Sequence, residues 1–164
     1  MKKKAFTVTV FSVYCLLLIW LVVFKLTLPG DELSSYRSVI LIPFSRPDPV
    51  SLSFELEEMV MNVIVFIPLG LYLSVLNMPK KIWARVLTGF AVSLIFESVQ
   101  YIFEIGTTDI TDLINNTVGT IIGVLLCYGL RKLLKEKTEP VINITLLGLC
   151  AAAVSGYAFL RLVN

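Results

Sequence analysis

A group of polar side chains lies between two apolar segments in the middle of this 164-residue chain. The group consists of Glu97, Gln100, Glu104, Asp109, Asp112, Asn115 and Asn116. The flanking segments, residues 82–103 and 110–130, are long and apolar enough to be membrane helices. Because a charged side chain at the centre of a spanning helix costs about 2.5 to 3.5 kcal/mol, such a group predicts a functional site, a helix–helix contact, or both.

The chemistry open to this group is that of carboxylates and carboxamides. Glu97 and Asp112 are the candidate catalytic pair, since two carboxylates in different environments can divide general acid and general base work. The same oxygens could hold a hydrated magnesium ion, but no metal site or other cofactor is predicted. The chain has no histidine, so histidine-based nucleophile schemes and the usual transition-metal sites are absent. Its three cysteines are scattered through apolar segments and are interpreted as packing residues.

Helical spacing places several of these residues on shared faces. Glu97, Gln100, Tyr101 and Glu104 are three, four and seven residues apart, which predicts one face of the third helix. Asp109 is predicted to cap the fourth helix by accepting from backbone donors of its first turn. Gly106 is expected to supply the backbone freedom of the turn between the two helices.

A second polar and small-residue face is predicted on the fourth helix. Asp112, Asn116, either Gly119 or Thr120, and Gly123 follow one another down it. Small residues four positions apart allow another helix to approach closely, so Gly119 and Gly123 are predicted structural residues. Asp112 is expected to serve the site instead of capping the helix.

The second apolar segment also carries polar and helix-breaking residues. Asn62 lies near its outer end, and Pro68 and Gly70 lie near its middle. Proline removes a backbone donor, which predicts a kink that bundle packing and a functional break explain equally well. With a rise of about 1.5 Å per residue, Asn62 lies about 5 Å, and Glu97 and Asn116 about 9 Å, from the outer ends of their helices. We therefore expect the three helices to present polar groups at one level.

The composition predicts a membrane protein. Hydrophobic residues make up 57% of the chain and charged residues 16%, with a mean hydropathy of +0.86. The predicted fold is an all-α polytopic helix bundle in a single domain, 1–164, with five spans near residues 5–28, 59–78, 82–103, 110–130 and 141–160. A charged loop is predicted over residues 131–140.

One long outer loop, residues 29–58, is predicted between the first two spans. Prolines at positions 43, 47 and 49 exclude a regular helix through its middle, and the apolar run 39–44 is too short to span a membrane. This run could lie on the membrane surface or cover the bundle, and the helix that follows could begin before the bilayer is reached. The role of the loop stays open.

The distribution of Lys and Arg predicts a cytoplasmic amino terminus. Ten of the fourteen fall on that side: Lys2, Lys3, Lys4, Lys80, Lys81, Arg85, Arg131, Lys132, Lys135 and Lys137. Lys25 falls on the outer side, where it is interpreted either as a side chain reaching the interface or as a counter-ion to the site carboxylates. The basic residues lie in short clusters without interleaved aromatic residues, so nucleic acid is not expected as a partner.

Four stretches resemble the VanZ family. They are LIWLVVFKL at 18–26, LIPF at 41–44, NVIVFIPLG at 62–70 and FESVQYIFEIGTTDITDLINNTVG at 96–119, and nearly the whole chain matches in order. The resemblance implies a multi-pass protein of the cytoplasmic membrane of a Gram-positive bacterium, and lowered susceptibility to teicoplanin and related lipoglycopeptides without a settled reaction. Many members carry an Asp where this chain has Thr111, and some an Arg in the EIGTT turn, so an enzymatic role is disfavoured here.

The resemblance and the polar face together define the candidate binding residues. They are Asn62, Glu97, Gln100, Asp109, Asp112, Asn116 and Lys25, with Pro68, Gly70, Gly106, Gly119 and Gly123 as structural residues. The expected ligands are a membrane lipid and either a lipoglycopeptide, which carries an acyl chain and amine-bearing sugars, or a lipid-linked cell-wall precursor.

Three functions remain open. The first is a binding protein with an acidic outward pocket, and the second is an intramembrane enzyme acting on an envelope lipid. In the third, the polar residues only join the helices and the protein acts through assembly with another molecule. A transporter is disfavoured because no internal repeat is visible. The oligomeric state is not predicted.

Overall fold

The computed structural model describes residues 2–23, 36–44 and 52–163 of the chain. Five α-helices and two short strands lie within these ranges. The helices are α1 (Lys2–Val22), α2 (Leu52–Val75), α3 (Ile82–Phe103), α4 (Ile110–Leu134) and α5 (Thr138–Val163), and the strands are β1 (Tyr36–Ile40) and β2 (Ile105–Asp109). The predicted mostly helical architecture is confirmed.

Four helical segments of the described chain are long and apolar enough to cross a membrane. They are Lys4–Val22, Leu56–Val75, Ile82–Phe103 and Ile110–Leu162. The last is 53 residues long and contains α4 and all of α5 except its final residue. Length and composition therefore support a polytopic helical membrane protein with four candidate segments, where the sequence predicted five separate ones.

Side-chain contacts show that successive helices run in alternating directions. Tyr14 of α1 donates to the carbonyl of Val65 in α2, and Phe11 stacks on Tyr72 further along α2. On the other side of the bundle, Ser93 of α3 receives a hydrogen bond from Asn116 of α4, whereas Arg85 of α3 contacts Tyr128. Helix α5 runs parallel to α1, because it contacts Thr7 through Asn143 and Trp20 through Tyr157.

The predicted loop over residues 131–140 is wrong, because helical structure covers that stretch. Helix α4 extends to Leu134, a single 3₁₀ turn covers Lys135–Lys137, and α5 begins at Thr138. The reversal is concentrated at Lys135, whose φ is positive at 50°, and the hydroxyl of Thr138 donates to the carbonyl of Lys135 at 2.7 Å. Charge does not by itself break a helix, so a charged segment outside a membrane can stay helical.

A two-stranded parallel sheet makes the all-α prediction incomplete. Strand β1 belongs to the predicted outer loop and β2 to the turn after α3; Tyr36 pairs with Ile105 and Ile40 with Asp109. The backbone N–H of Phe44 then donates to the hydroxyl of Thr111 at 3.1 Å, which attaches the loop to the start of α4. The apolar side chains of residues 41–44 are exposed and do not fill the bundle.

Helices α2 and α4 pack backbone against backbone through three glycines. A Cβ atom on Gly70 would lie 2.1 Å from the carbonyl oxygen of Thr120, and one on Gly119 would lie 2.2 Å from that of Val63. At Gly123 the corresponding distance to the carbonyl oxygen of Ile67 is 2.0 Å. Only glycine fits at such distances, so the small-residue face of α4 is the surface on which α2 lies.

The turn after α3 does not depend on Gly106 in the way expected. The left-handed residue of this turn is Glu104, with φ of 58°, whose N–H donates to the carbonyl of Gln100 as the C-cap of α3. Gly106 lies within β2, opposite Arg37. Pro68 lies inside α2, which continues without interruption to Val75.

Arg85 joins the α2–α3 turn to α4 and is almost completely buried. Its guanidinium donates to the carbonyl oxygens of Pro79 at 2.9 Å and Lys80 at 3.1 Å, to the hydroxyl of Tyr128 at 3.1 Å, and to the side chain of Asn77. Counting it as one of the basic residues that orient the chain therefore overlooked its structural role.

We expect Arg85→Lys to destabilise the protein by about 1.5 to 3 kcal/mol, because an ammonium cannot reproduce the planar fork of hydrogen bonds that the buried guanidinium makes. Thermal unfolding in detergent measures the effect. Lys80→Gln is the control, since the side chain of Lys80 is exposed. Equal melting temperatures of R85K and K80Q would contradict the assigned role.

Candidate functional site

A small polar cavity lies where α1, α2, α3 and α4 meet. Its volume is about 160 Å³, and it is lined by Leu21, Val22, Glu58, Met61, Asn62, Glu97, Gln100, Asp112 and Asn116. The cavity is close to the end of α3 and the start of α4, next to β2. Five of the seven predicted binding residues therefore line one space.

Helix α3 contributes Glu97 and Gln100, both buried. One carboxylate oxygen of Glu97, Oε2, accepts from the backbone N–H of Asp109 at 3.0 Å. Gln100, one turn later, donates from Nε2 to the carbonyl oxygen of Val22 at 3.0 Å. That carbonyl belongs to the last turn of α1, where helix carbonyls lack intrahelical donors, so Gln100 attaches the end of α1 to the site.

Helix α4 begins with a capped turn, as the sequence predicted. Asp109 is the N-cap, and its Oδ1 accepts from the N–H of Thr111 at 2.8 Å. The side chain of Asp109 is therefore used at the helix terminus and is absent from the cavity wall, although its backbone N–H holds Glu97.

Asp112 and Asn116 extend from α4 into the bundle. The carboxylate of Asp112 accepts from Nδ2 of Asn62 at 2.7 Å, which joins α4 to α2. Asn116 is completely buried and donates from Nδ2 to the hydroxyl oxygen of Ser93 at 2.9 Å. Its Oδ1 has no hydrogen-bond partner among the residues that the structure describes.

Two of the predicted residues on the α3 face do not belong to the site. Tyr101 and Glu104 are exposed, whereas Glu97 and Gln100 of the same predicted face are buried. For Glu104 the reason is that it is already the C-cap and has left the helical path, whereas Tyr101 lies within α3. Lys25, the predicted counter-ion, lies outside the described residues.

Sequence reasoning missed Glu58 and Ser93. Glu58 lies four residues before Asn62 and therefore on the same face of α2, but the predicted start of the span at residue 59 left it in the loop. Ser93 lies one turn before Glu97, so the same spacing rule would have found it. The sequence gives no indication of Val22. It contributes an apolar side chain to the cavity wall and a backbone carbonyl to Gln100, and an apolar residue in an apolar helix is not distinctive.

The chemistry of the cavity is that of charge and hydrogen bonding. Three carboxylates and three carboxamides line it, with Leu21, Val22 and Met61 as the apolar part of the wall. Glu97 is buried and Asp112 is half-buried, so the two candidate catalytic carboxylates have different surroundings. In the described parts of the chain, no group of three His, Cys, Asp or Glu side chains is arranged to hold a metal ion.

These features define a class of protein: a helical membrane protein with a polar cavity between four helices, beside a two-stranded sheet. A model of the VanZ/LLP1 family matches residues 11–134, so the chain belongs to the VanZ/LLP1 family. It is 40% identical to Protein VanZ of Enterococcus faecium over 135 residues, which cover 80% of each chain. No solved structure matches it. Every residue that lines the cavity falls within the family match, whereas α5 begins after it.

Proposed function

We propose that this protein lowers the susceptibility of a Gram-positive bacterium to teicoplanin-type lipoglycopeptides, and that its polar cavity engages the polar part of the drug or of a lipid-linked cell-wall precursor. The observation that carries the proposal is the family match, which covers the whole cavity, together with 40% identity to Protein VanZ. The binding residues would be Asn62, Glu97, Gln100, Asp112 and Asn116.

The proposed topology has five spans and a cytoplasmic amino terminus, with the cavity on the outer side. Alternating helix directions bring the start of α1, the α2–α3 turn and the α4–α5 turn to one end of the bundle. Ten of the fourteen Lys and Arg residues belong to these three regions, which supports a cytoplasmic location for that end. The cavity lies at the opposite end, near β2.

The size of the cavity restricts how it would engage a large amphiphile. Pockets for drug-sized molecules have volumes of about 300 to 1,000 Å³, and this cavity has about 160 Å³. It would therefore take one polar group, while an acyl chain stays in the surrounding bilayer. A lipoglycopeptide and a lipid-linked precursor could both bind in this way, because each has a polar part and a hydrocarbon chain.

The experiment compares two drugs in a sensitive Gram-positive strain that expresses this chain. We expect the minimum inhibitory concentration of teicoplanin to rise at least about fourfold, and that of vancomycin, which lacks the acyl chain, to stay within twofold of the vector control. Membrane levels are measured in parallel. Unchanged susceptibility to teicoplanin at good membrane expression would refute the resistance role.

An intramembrane enzyme acting on an envelope lipid is the second candidate. It is favoured by one observation: Glu97 and Asp112 line the same cavity, one buried and the other half-buried. Such different surroundings could separate an acid from a base. Lipid extracts of expressing cells distinguish the two functions, because only an enzyme would produce a new lipid species that disappears in E97Q and D112N variants.

A further inference from the structure

We propose that a crevice between α2, α4 and α5 binds one anionic phospholipid, with an acyl chain between the helices and the phosphate at Arg131 and Lys135. The crevice shares no lining residue with the polar cavity and lies further along α2. The proposal therefore goes beyond the function proposed for the cavity and does not depend on it.

The inner part of the crevice is apolar and has a volume of about 370 Å³. Nine of its eleven lining residues have apolar side chains, and the hydroxyl of Tyr72 already donates to Asn143 at 2.9 Å. Water in such a space would lack the polar partners it needs, and an empty space would leave the lining without van der Waals contacts. In a bilayer, the hydrocarbon chain of a lipid is the group that fills it.

The length of the apolar part suits one acyl chain. Its lining extends along α2 from Ile64 to Tyr72 and along α5 from Val141 to Leu149. Eight residues of an α-helix rise about 12 Å, and one leaflet contributes about 15 Å of hydrocarbon. The crevice therefore accommodates most of one chain lying parallel to the helices.

A polar mouth adjoins the apolar part on all three helices. It is a space of about 350 Å³ lined by Val75, Arg131, Lys135, Glu136, Thr138 and Glu139. On α2, Val75 lies one turn beyond Leu71, and on α4, Arg131 directly follows Leu130. On α5, Glu139 lies two positions before Val141. A polar space that continues into an apolar one matches the two parts of an amphiphile.

Arg131 and Lys135 keep hydrogen-bond donors for a phosphate. Nη2 of Arg131 donates to the carbonyl oxygens of Ser74 at 2.6 Å and Val75 at 3.3 Å. The described chain provides no acceptor for its Nε and Nη1, nor for the exposed ammonium of Lys135. Both partners of Arg131 are neutral, so no contacting carboxylate offsets its charge. Guanidinium and ammonium groups are common partners of phosphate oxygens.

Two carboxylates also line the mouth, but the basic residues outnumber them at this end of the bundle. Glu139 is directed to α1, because it accepts from the hydroxyl of Thr7, and Glu136 is exposed. The start of α1, the α2–α3 turn and the α4–α5 turn contain ten Lys and Arg residues and only these two acidic residues. Their combined field attracts an anionic headgroup.

Three probes test the proposal: phosphatidylglycerol, phosphatidylcholine with the same two acyl chains, and glycerol 3-phosphate. The two lipids share a phosphate, but only phosphatidylglycerol carries a net charge, and glycerol 3-phosphate has no chain. Each is titrated into the purified full chain in dodecyl maltoside, and native mass spectrometry gives the dissociation constant of the first bound molecule.

We expect phosphatidylglycerol to bind at least about fivefold more tightly than phosphatidylcholine, and glycerol 3-phosphate to bind more weakly than either lipid. Equal binding of the two lipids would overturn the proposal. Tighter binding of glycerol 3-phosphate would also overturn it, because the site would then take a free phosphate and not a lipid.

Two lysines near the end of α4 provide a matched pair of variants. Lys135 lines the mouth, whereas Lys132 is exposed and outside it. The measurement is the ratio of the dissociation constants of the two lipids, because damage to the fold weakens both. We expect K135Q to reduce the preference for phosphatidylglycerol to less than about twofold and K132Q to leave it at about fivefold or above. Equal ratios in the two variants would contradict a headgroup site in the mouth.

A second pair of variants tests the position of the acyl chain. Thr145 lines the apolar part, whereas Ile144 is exposed and outside it. A tryptophan at position 145 would occupy the space of the chain, so we expect T145W to weaken phosphatidylglycerol binding at least about fivefold and I144W to change it less than twofold. Equal affinities of T145W and I144W would exclude a chain between the helices.

Discussion

Replacing Gly123 by alanine is expected to destabilise the protein by at least about 3 kcal/mol, because the new methyl group would overlap a main-chain oxygen of the neighbouring helix. The added Cβ would lie 2.0 Å from the carbonyl oxygen of Ile67 and 2.9 Å from the backbone nitrogen of Leu71. Backbone atoms of a helix cannot rotate away as a side chain can. Relief therefore requires α2 and α4 to separate along the whole contact that includes Gly70 and Gly119.

The matched control for this prediction is Gly129→Ala, on the same helix. A Cβ at Gly129 would meet nothing within 4 Å. Alanine has the higher helix propensity, by about 1 kcal/mol in peptides, so G129A should melt at the same temperature as the wild type or slightly above it. Thermal unfolding in detergent and the yield of folded protein measure both variants. If G123A and G129A melted alike, the close approach of α2 and α4 would be wrong.

The second large effect is expected for Glu97→Gln, which should abolish protection against teicoplanin while leaving the fold in place. The amide oxygen of glutamine can still accept the backbone N–H of Asp109, which Oε2 of Glu97 accepts at 3.0 Å. The negative charge is lost. If the cavity acts through charge, susceptibility returns to that of the vector control, and the melting temperature stays near that of the wild type.

Glu97→Ala is less informative, because it would also leave the N–H of Asp109 buried without its acceptor, at a cost of about 1 to 3 kcal/mol. The control is Glu104→Gln, which makes the same chemical change at an exposed position seven residues further along. Susceptibility testing at matched membrane levels is the measurement. Full protection by E97Q would exclude a role for the charge. Loss of protection together with a large fall in melting temperature would instead support polar residues that only join the helices.

The sequence predicted helix bounds best where the helix coincides with an apolar segment. Residues 82–103 were predicted as a span, and α3 has the same bounds, Ile82–Phe103. The start of α2 was placed at residue 59, but the helix begins at Leu52. The acidic residues before position 59 are unfavourable in a bilayer and acceptable in a helix, so hydropathy indicated where the membrane could begin and not where the helix begins.

The site was predicted in its residue types and only partly in its arrangement. Helical spacing and depth indicated that Asn62, Glu97 and Asn116 lie at one level, and all three line the cavity. Their binding role stays a prediction. The cap formed by Asp109 was predicted. The hydrogen bonds that Asp112 accepts from Asn62, and Ser93 from the amide of Asn116, were not.

Local sequence by itself determined that this is a helical membrane protein, that α4 has a small-residue face, and that costly polar groups collect near the α3–α4 turn. These are properties of composition and of the 3.6-residue period, which act over a few turns of one helix. Only the tertiary structure decided the parallel pairing of β1 with β2, the choice of α2 as the partner of the glycine face, and which amide atom of Asn116 lacks a partner. The physical reason is distance along the chain: the strand pairing and the glycine contacts join residues 50 or more positions apart, and Asn116 lies 23 positions from Ser93. The energies of these contacts depend on backbone positions that no local pattern specifies.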